Sequence, residues 1–98
     1  DTMPQPTDGI QTFFSYIMDN LKYPEKAKIM GIEGKVFVEF VVNKDGSISD
    51  VQVIKGIGAG CDQEAKRVVS ESKNWIPGEK DGSPVNVKLT LPITFKLS

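Results

Sequence analysis

The side chains that most often carry enzyme chemistry are nearly missing from this chain. Histidine is absent, Cys61 is the single cysteine and Arg67 the single arginine. Sites for zinc-type metals, His-dependent triads and an internal disulfide are thereby excluded, and no cofactor is expected. The remaining bases are carboxylates and lysines, and no clustered pair is visible along the sequence. Cys61 opens a helical pattern and reads as a small buried hydrophobe. A reactive thiol needs an accessible electropositive setting, of which a helix N-terminus is a weak version. Gly56-Ile57-Gly58-Ala59-Gly60 lies between a strand pattern and a helix pattern, as a dinucleotide-binding loop would. Its third glycine falls one position early for G-x-G-x-x-G, and the preceding strand is the second of a hairpin. It reads as a flexible connector, and the chain does not read as an enzyme.

The chemistry left is that of the backbone. From Val85 to Leu97 every odd position is apolar, while Asn86, Lys88, Thr90, Thr94 and Lys96 are polar and Pro92 lacks an N–H. This period-2 alternation describes a strand with one face on a core and one in water. Pro92 argues for a place at a sheet edge, because proline breaks a central ladder. An edge strand presents unpaired N–H and C=O groups, which must be protected, covered or used.

Length and composition describe what must position that strand. Ninety-eight residues, 39% hydrophobic and 26% charged, make one folded domain, with residues 1–8 an extended lead-in and 9–97 the core. The formal net charge is −1 with both signs interspersed, so the basic footprint of a nucleic-acid binder is missing. There is no apolar run near membrane-spanning length and no signal-peptide pattern. The abrupt start at Asp1 fits a fragment of a longer protein.

Asp8 and Gln11 have capping-box spacing ahead of Ile10, Phe13, Phe14, Ile17, Met18 and Leu21, which define one apolar face of a helix over residues 9–21. Pro24 suits the first position of a short second helix through Met30, stopped by Gly31. Tyr23 reads as a core residue at the helix junction. Lys35 to Asn43 forms a strand, with Val36, Val38, Phe40 and Val42 on one face; Phe37 and Val41 make the other face partly apolar, so cover on both faces is expected near its middle. Asn43-Lys44-Asp45-Gly46-Ser47 is a hairpin turn. Ile48 to Lys55 returns, with an apolar phase slip between Ile48 and Val51 that marks a bulge. The third helix runs from Asp62 to Lys73 with Cys61, Ala65, Val68, Val69 and Ser72 on one face. Asn74-Trp75-Ile76-Pro77-Gly78 ends it, Trp75 plugs the open end of the core, and Glu79 to Pro84 is a polar loop.

The crossover through the third helix sets the last strand beside the first and antiparallel to it. The fold class is therefore α+β: two N-terminal helices, a hairpin, a helix and a long C-terminal edge strand, with a three-stranded antiparallel-type sheet and the helices on one face.

In this order the signals resemble a known family. Tyr23-Pro24 with a short helix, Gly31-Ile32-Glu33-Gly34-Lys35-Val36 into a Val/Phe strand and Asp45-Gly46-Ser47 at a hairpin carry its first half. The Gly-rich loop into Cys61-Asp62-Gln63-Glu64-Ala65, then Trp75-Ile76-Pro77-Gly78, Gly82-Ser83-Pro84-Val85 and Leu91-Pro92-Ile93-Thr94-Phe95 carry its second. Over residues 9–97 the chain resembles the TonB C-terminal domain. The resemblance implies a periplasmic domain of an inner-membrane-anchored energy transducer, powered through ExbB and ExbD. It implies strand addition of the TonB box of an outer-membrane receptor to the edge Val85, Asn86, Val87, Lys88, Leu89, Thr90 and Leu91, with Pro92 closing that edge. A further receptor contact is implied near Tyr23 and Pro24. There the sequence departs from the family members best known for this activity: Asn20-Leu21-Lys22 stand where those place a Gln-Pro pair, and Pro6 is too distant to substitute.

Two other readings compete. One is an ordinary edge strand protected by Lys88, Pro92 and Lys96, or covered by a second copy in a homodimer. The other is a sensor domain of a membrane-embedded metallopeptidase regulator, in which domains of this look also occur. Several spanning segments and a His-Glu-x-x-His motif upstream of Asp1 would favour it, whereas one span and a proline-rich spacer would favour the transducer.

Overall fold

The computed structural model describes residues 1–72 and 75–97. A two-residue strand β1 (Gln5–Pro6) leads into helices α1 (Ile10–Asn20) and α2 (Glu25–Met30). The hairpin β2 (Gly34–Val42) and β3 (Ile48–Lys55) follows, then α3 (Cys61–Ser70). The chain finishes through β4 (Trp75–Ile76), β5 (Gly78–Lys80), β6 (Ser83–Val85) and β7 (Val87–Phe95). The main sheet has the order β3-β2-β7, all antiparallel, which is the expected topology.

The core lies between this sheet and the helices. Val36, Val38, Phe40 and Val42 are fully buried on one face of β2, while Phe37 and Val41 on the other face are half-buried. Helix α3 presents Cys61, Ala65, Val68 and Val69, each fully buried, and Ser72 lies buried just beyond its end. The helix ends at Ser70, with Glu71 as its C-cap, short of the expected end at Lys73; Lys73 and Asn74 themselves fall outside the described residues. On α1 only Phe13 and Ile17 are buried, whereas Ile10 and Met18 are exposed, so the apolar face is narrower than the spacing promised.

Three local expectations are corrected. The capping box at Asp8 and Gln11 does not form: Gly9 is the N-cap of α1, with φ 90° and no side-chain cap bond, because the chain enters from β1 only three residues earlier. Pro24 is the extended N-cap of α2 rather than its first helical residue. The stretch Glu79 to Pro84 is a tight hairpin, β5 with β6, turned by Asp81 (φ 53°) and Gly82 (φ 79°). Two positive φ values in a two-residue connection match the twist of a hairpin.

The lead-in pairs with the segment after α3. Gln5 and Pro6 face Ile76 and Trp75, and Thr2 exchanges backbone bonds with Glu79 at 2.9 Å each way. The β3 phase slip is a bulge: Val41 pairs with Ser49 but Glu39 with Gln52, and Asp50 absorbs the extra residue at φ 53°.

Gly46 (φ 86°) turns the β2–β3 hairpin, and its carbonyl accepts the Trp75 N–H (3.2 Å). A Cβ there would stand 2.3 Å from the Trp75 carbonyl oxygen. Gly46→Ala is therefore expected to cost about 2 kcal/mol or more, read as a lower urea midpoint, since it adds left-handed strain to a backbone clash.

One polar clamp fastens α1 to α3. Glu64 accepts from the Lys22 N–H (2.6 Å) and from Arg67 (2.7 and 2.9 Å), and Arg67 also donates to the Asn20 carbonyl (2.9 Å). These bonds, Arg67 foremost, hold the Glu64 carboxyl below its ordinary pKa. A depressed carboxylate contributes stability above the ordinary range, and that contribution is lost as pH falls through its folded value. Glu64→Gln is expected to cost about 1 kcal/mol at neutral pH and to flatten the acid limb of a stability-versus-pH curve.

Candidate functional site: the free edge of the last strand

The hairpin bonds decide which backbone groups of β7 are free. Asn43 N–H donates to the Ser47 carbonyl (2.8 Å), so Asn43 and, by alternation, Val41 turn their peptide groups toward β3. Val42, Phe40, Val38 and Val36 then turn theirs the other way, onto Val87, Leu89, Leu91 and Ile93 of β7, in a register unbroken from Gly34 to Val42. Lys88, Thr90 and Thr94 are left with N–H and C=O facing away from β2, and Pro92 with C=O alone. Among the described residues β7 pairs with no other strand.

This alternation explains Pro92. It sits inside β7 opposite Phe37, and its nitrogen faces outward, so the β2–β7 ladder loses no bond. On the free side the run of outward donors stops at Thr90 and resumes only at Thr94.

The structure shortens the edge read from sequence. The thirteen-residue alternation is not one strand: Val85 belongs to β6 and pairs with Gly78, and Asn86 lies between strands with its Oδ1 accepting the Lys44 N–H (2.8 Å). Val87, Lys88, Leu89, Thr90 and Leu91 remain on the edge. Lys88 and Thr90 are exposed, and the Lys88 Nζ stands 3.8 Å from Glu39, whose carboxylate also accepts from Gln52 (2.7 Å).

Tyr23 and Pro24 lie elsewhere. The Tyr23 hydroxyl donates to the Ile32 carbonyl, and its ring meets Phe95 edge-on at 5.5 Å. Desolvation, then Cys61 and Glu33, push its pKa up. Phe95 is four residues beyond Leu91, about 13 Å along a strand. The structure therefore does not bring Tyr23–Pro24 and the Lys88–Thr90 edge into one place.

The remaining chemical candidates resolve as structural. Cys61 is fully buried, and burial, followed by Asp62, raises its thiol pKa. The Gly-rich loop is occupied by its own chain: Asp62 Oδ1 accepts the N–H groups of Ile57 (2.8 Å) and Gly58 (3.1 Å), where a phosphate loop would offer them to ligand. Among the described residues no cluster of His, Cys, Asp or Glu could hold a metal ion, and no helix is long and apolar enough to cross a membrane.

The comparisons with known proteins agree with this architecture. The family model for the Gram-negative bacterial TonB protein C-terminal matches residues 19–97. Protein TonB of Helicobacter pylori is 32% identical over 77 residues, 78% of this chain and 26% of that protein. Protein TonB of Pseudomonas aeruginosa is 32% identical over 81 residues, 82% of this chain and 23% of that protein. The chain thus spans about a quarter of the length of these relatives. A solution structure of the Helicobacter pylori TonB C-terminal domain superposes with a TM-score of 0.70 at 28% identity, covering 89% of this chain and 91% of that one. With the matched segment running from the end of α1 through β7, this chain belongs to the TonB C-terminal domain family.

Proposed function

We propose that the chain is the periplasmic, receptor-binding end of an inner-membrane-anchored energy transducer, and that it grips outer-membrane receptors by strand addition. The receptor's TonB box lies along β7 and bonds to the outward N–H and C=O groups of Lys88 and Thr90, flanked by Val87, Leu89 and Leu91. Backbone bonds supply affinity in this mode, and alternate side chains supply selectivity. ExbB and ExbD act through the transducer's N-terminal region, and force passing through this domain remodels the receptor for nutrient import.

The observation that carries the proposal is the unpaired outer edge of β7, together with the family membership. A receptor contact at Tyr23 and Pro24 would be a separate one, because the Tyr23 ring and hydroxyl meet Phe95 and Ile32 away from the Lys88–Thr90 edge. The test is a titration of the ¹⁵N-labelled chain with N-terminal segments of the same organism's outer-membrane receptors. The Lys88 and Thr90 amides should shift first. Shifts confined to α1, or no binding at millimolar peptide, would sink strand addition.

A further inference from the structure

The helices cover one face of the β3-β2-β7 sheet and leave the other open. Lys35, Phe37, Glu39 and Val41 alternate onto the open face of β2, and the register sets Lys55 and Pro92 on either side of Phe37. A bulge in β3 at this point places Ile54 and Lys55 together opposite Phe37. Ile54 is 53% exposed and both lysines are exposed, while Phe37 and Pro92 are half-buried.

Charge is divided unevenly over this face. Among the described residues paired across it the one acid is Glu39, which is matched by Lys88 (3.8 Å) and by Gln52 (2.7 Å). Lys35 and Lys55 have no ion pair among the described residues. A chain of formal net charge −1 thus carries a positive face, with two unpaired cations around an apolar centre.

We propose that this face docks on an anionic phospholipid surface, with Lys35 and Lys55 at the phosphates and Ile54, Phe37 and Pro92 against the headgroup boundary. Charge complementarity selects an anionic occupant. It sets aside a second copy, since two such faces would press unpaired lysines against one another. The flatness of the face selects a bilayer. Strands about 4.8 Å apart make a pleated plane rather than a cleft, so no particular side chain of a partner finds a socket here. Lysines around an exposed apolar centre are what holds a protein at a headgroup layer, their stems lying along the apolar surface and their ammonium groups reaching the phosphates. The inference goes beyond strand addition and does not rest on it. The two are compatible, because a sheet lying flat on a leaflet keeps the outer edge of β7 open sideways.

The test is flotation of the chain with vesicles of phosphatidylcholine alone, or with one third phosphatidylglycerol, at about 0.1 M salt. The chain should float with the anionic vesicles and not with the neutral ones, and about 0.5 M salt should release it. Lys35→Gln with Lys55→Gln should weaken binding roughly thirtyfold, at about fivefold per lysine, and leave the urea midpoint in place. Ile54→Ser should weaken it about threefold or more with charge unchanged. Equal flotation with both vesicles, or none with either, would overturn the proposal, as would a double variant that floats like the parent. Lysine-dependent binding of a polyglutamate peptide without flotation would give the face to an acidic protein segment and overturn the choice of occupant. Receptor segments should still shift the Lys88 and Thr90 amides of the double variant, so failure here is distinguishable from failure of strand addition.

Discussion

Thr90→Pro should silence receptor binding in a domain that stays folded, while Leu89→Pro, one residue earlier, should unfold it. The contrast follows from the alternation of peptide groups along β7. Thr90 turns its N–H away from β2, so a proline there removes a donor the fold does not use and sets its ring against the incoming strand. The lost bond and the obstruction should weaken peptide binding by about 2 kcal/mol or more, roughly thirtyfold. Pro92 already shows that β7 accepts a proline of this orientation. Leu89 turns its N–H onto Phe40 in the ladder, and a proline there leaves the buried Phe40 carbonyl unpaired and pushes the strands apart. That should cost about 3 kcal/mol or more, a fall in melting temperature of roughly 12 °C or greater. Thr90→Ala is the control, since alanine keeps the N–H, and its affinity should stay within a few-fold of the parent. If Thr90→Ala and Thr90→Pro bind alike in a titration, side chains rather than backbone carry the contact.

How much of this site the sequence disclosed depends on the residue. The alternation Val36, Val38, Phe40, Val42 identified the buried face of β2, because burial and period coincide over a long strand. Pro92 indicated an edge correctly, but its orientation depends on the Asn43–Ser47 bond of a hairpin nearly fifty residues away in sequence. The alternation through Val85 and Asn86 misled. Period alone cannot show that the odd residues Val85 and Val87 serve different sheets, with Asn86 spent on the Lys44 N–H between them. The signal that could have divided them was Asp81-Gly82, the two-residue hairpin turn that claims Val85 for Gly78. Strands of two residues, such as Gln5–Pro6 against Trp75–Ile76, have no period to read. The pairing of the lead-in with the segment that carries Trp75 was therefore illegible before the fold was known.

Trp75 joins these parts, and its replacement should have the largest effect on stability. It is 4% exposed, with its ring edge-to-face against Phe13 (5.1 Å) on α1 and Phe40 (5.3 Å) on β2. Its backbone pairs with Pro6 and donates to Gly46, so one residue ties the lead-in, the hairpin and the first helix to the sheet. Trp75→Ala should leave a cavity at this junction and cost about 3–5 kcal/mol, a large part of the roughly 5–15 kcal/mol that holds a domain of this kind together. Trp75→Phe should cost far less. The Trp75 Nε1 is buried with no hydrogen-bond partner among the described residues, so phenylalanine removes an unsatisfied donor while keeping most of the ring contacts. Urea denaturation of the two variants separates these contributions. A Phe variant as unstable as the Ala variant would mean that the second ring of the indole, which phenylalanine lacks, holds the junction, and that the edge-to-face contacts with Phe13 and Phe40 do not.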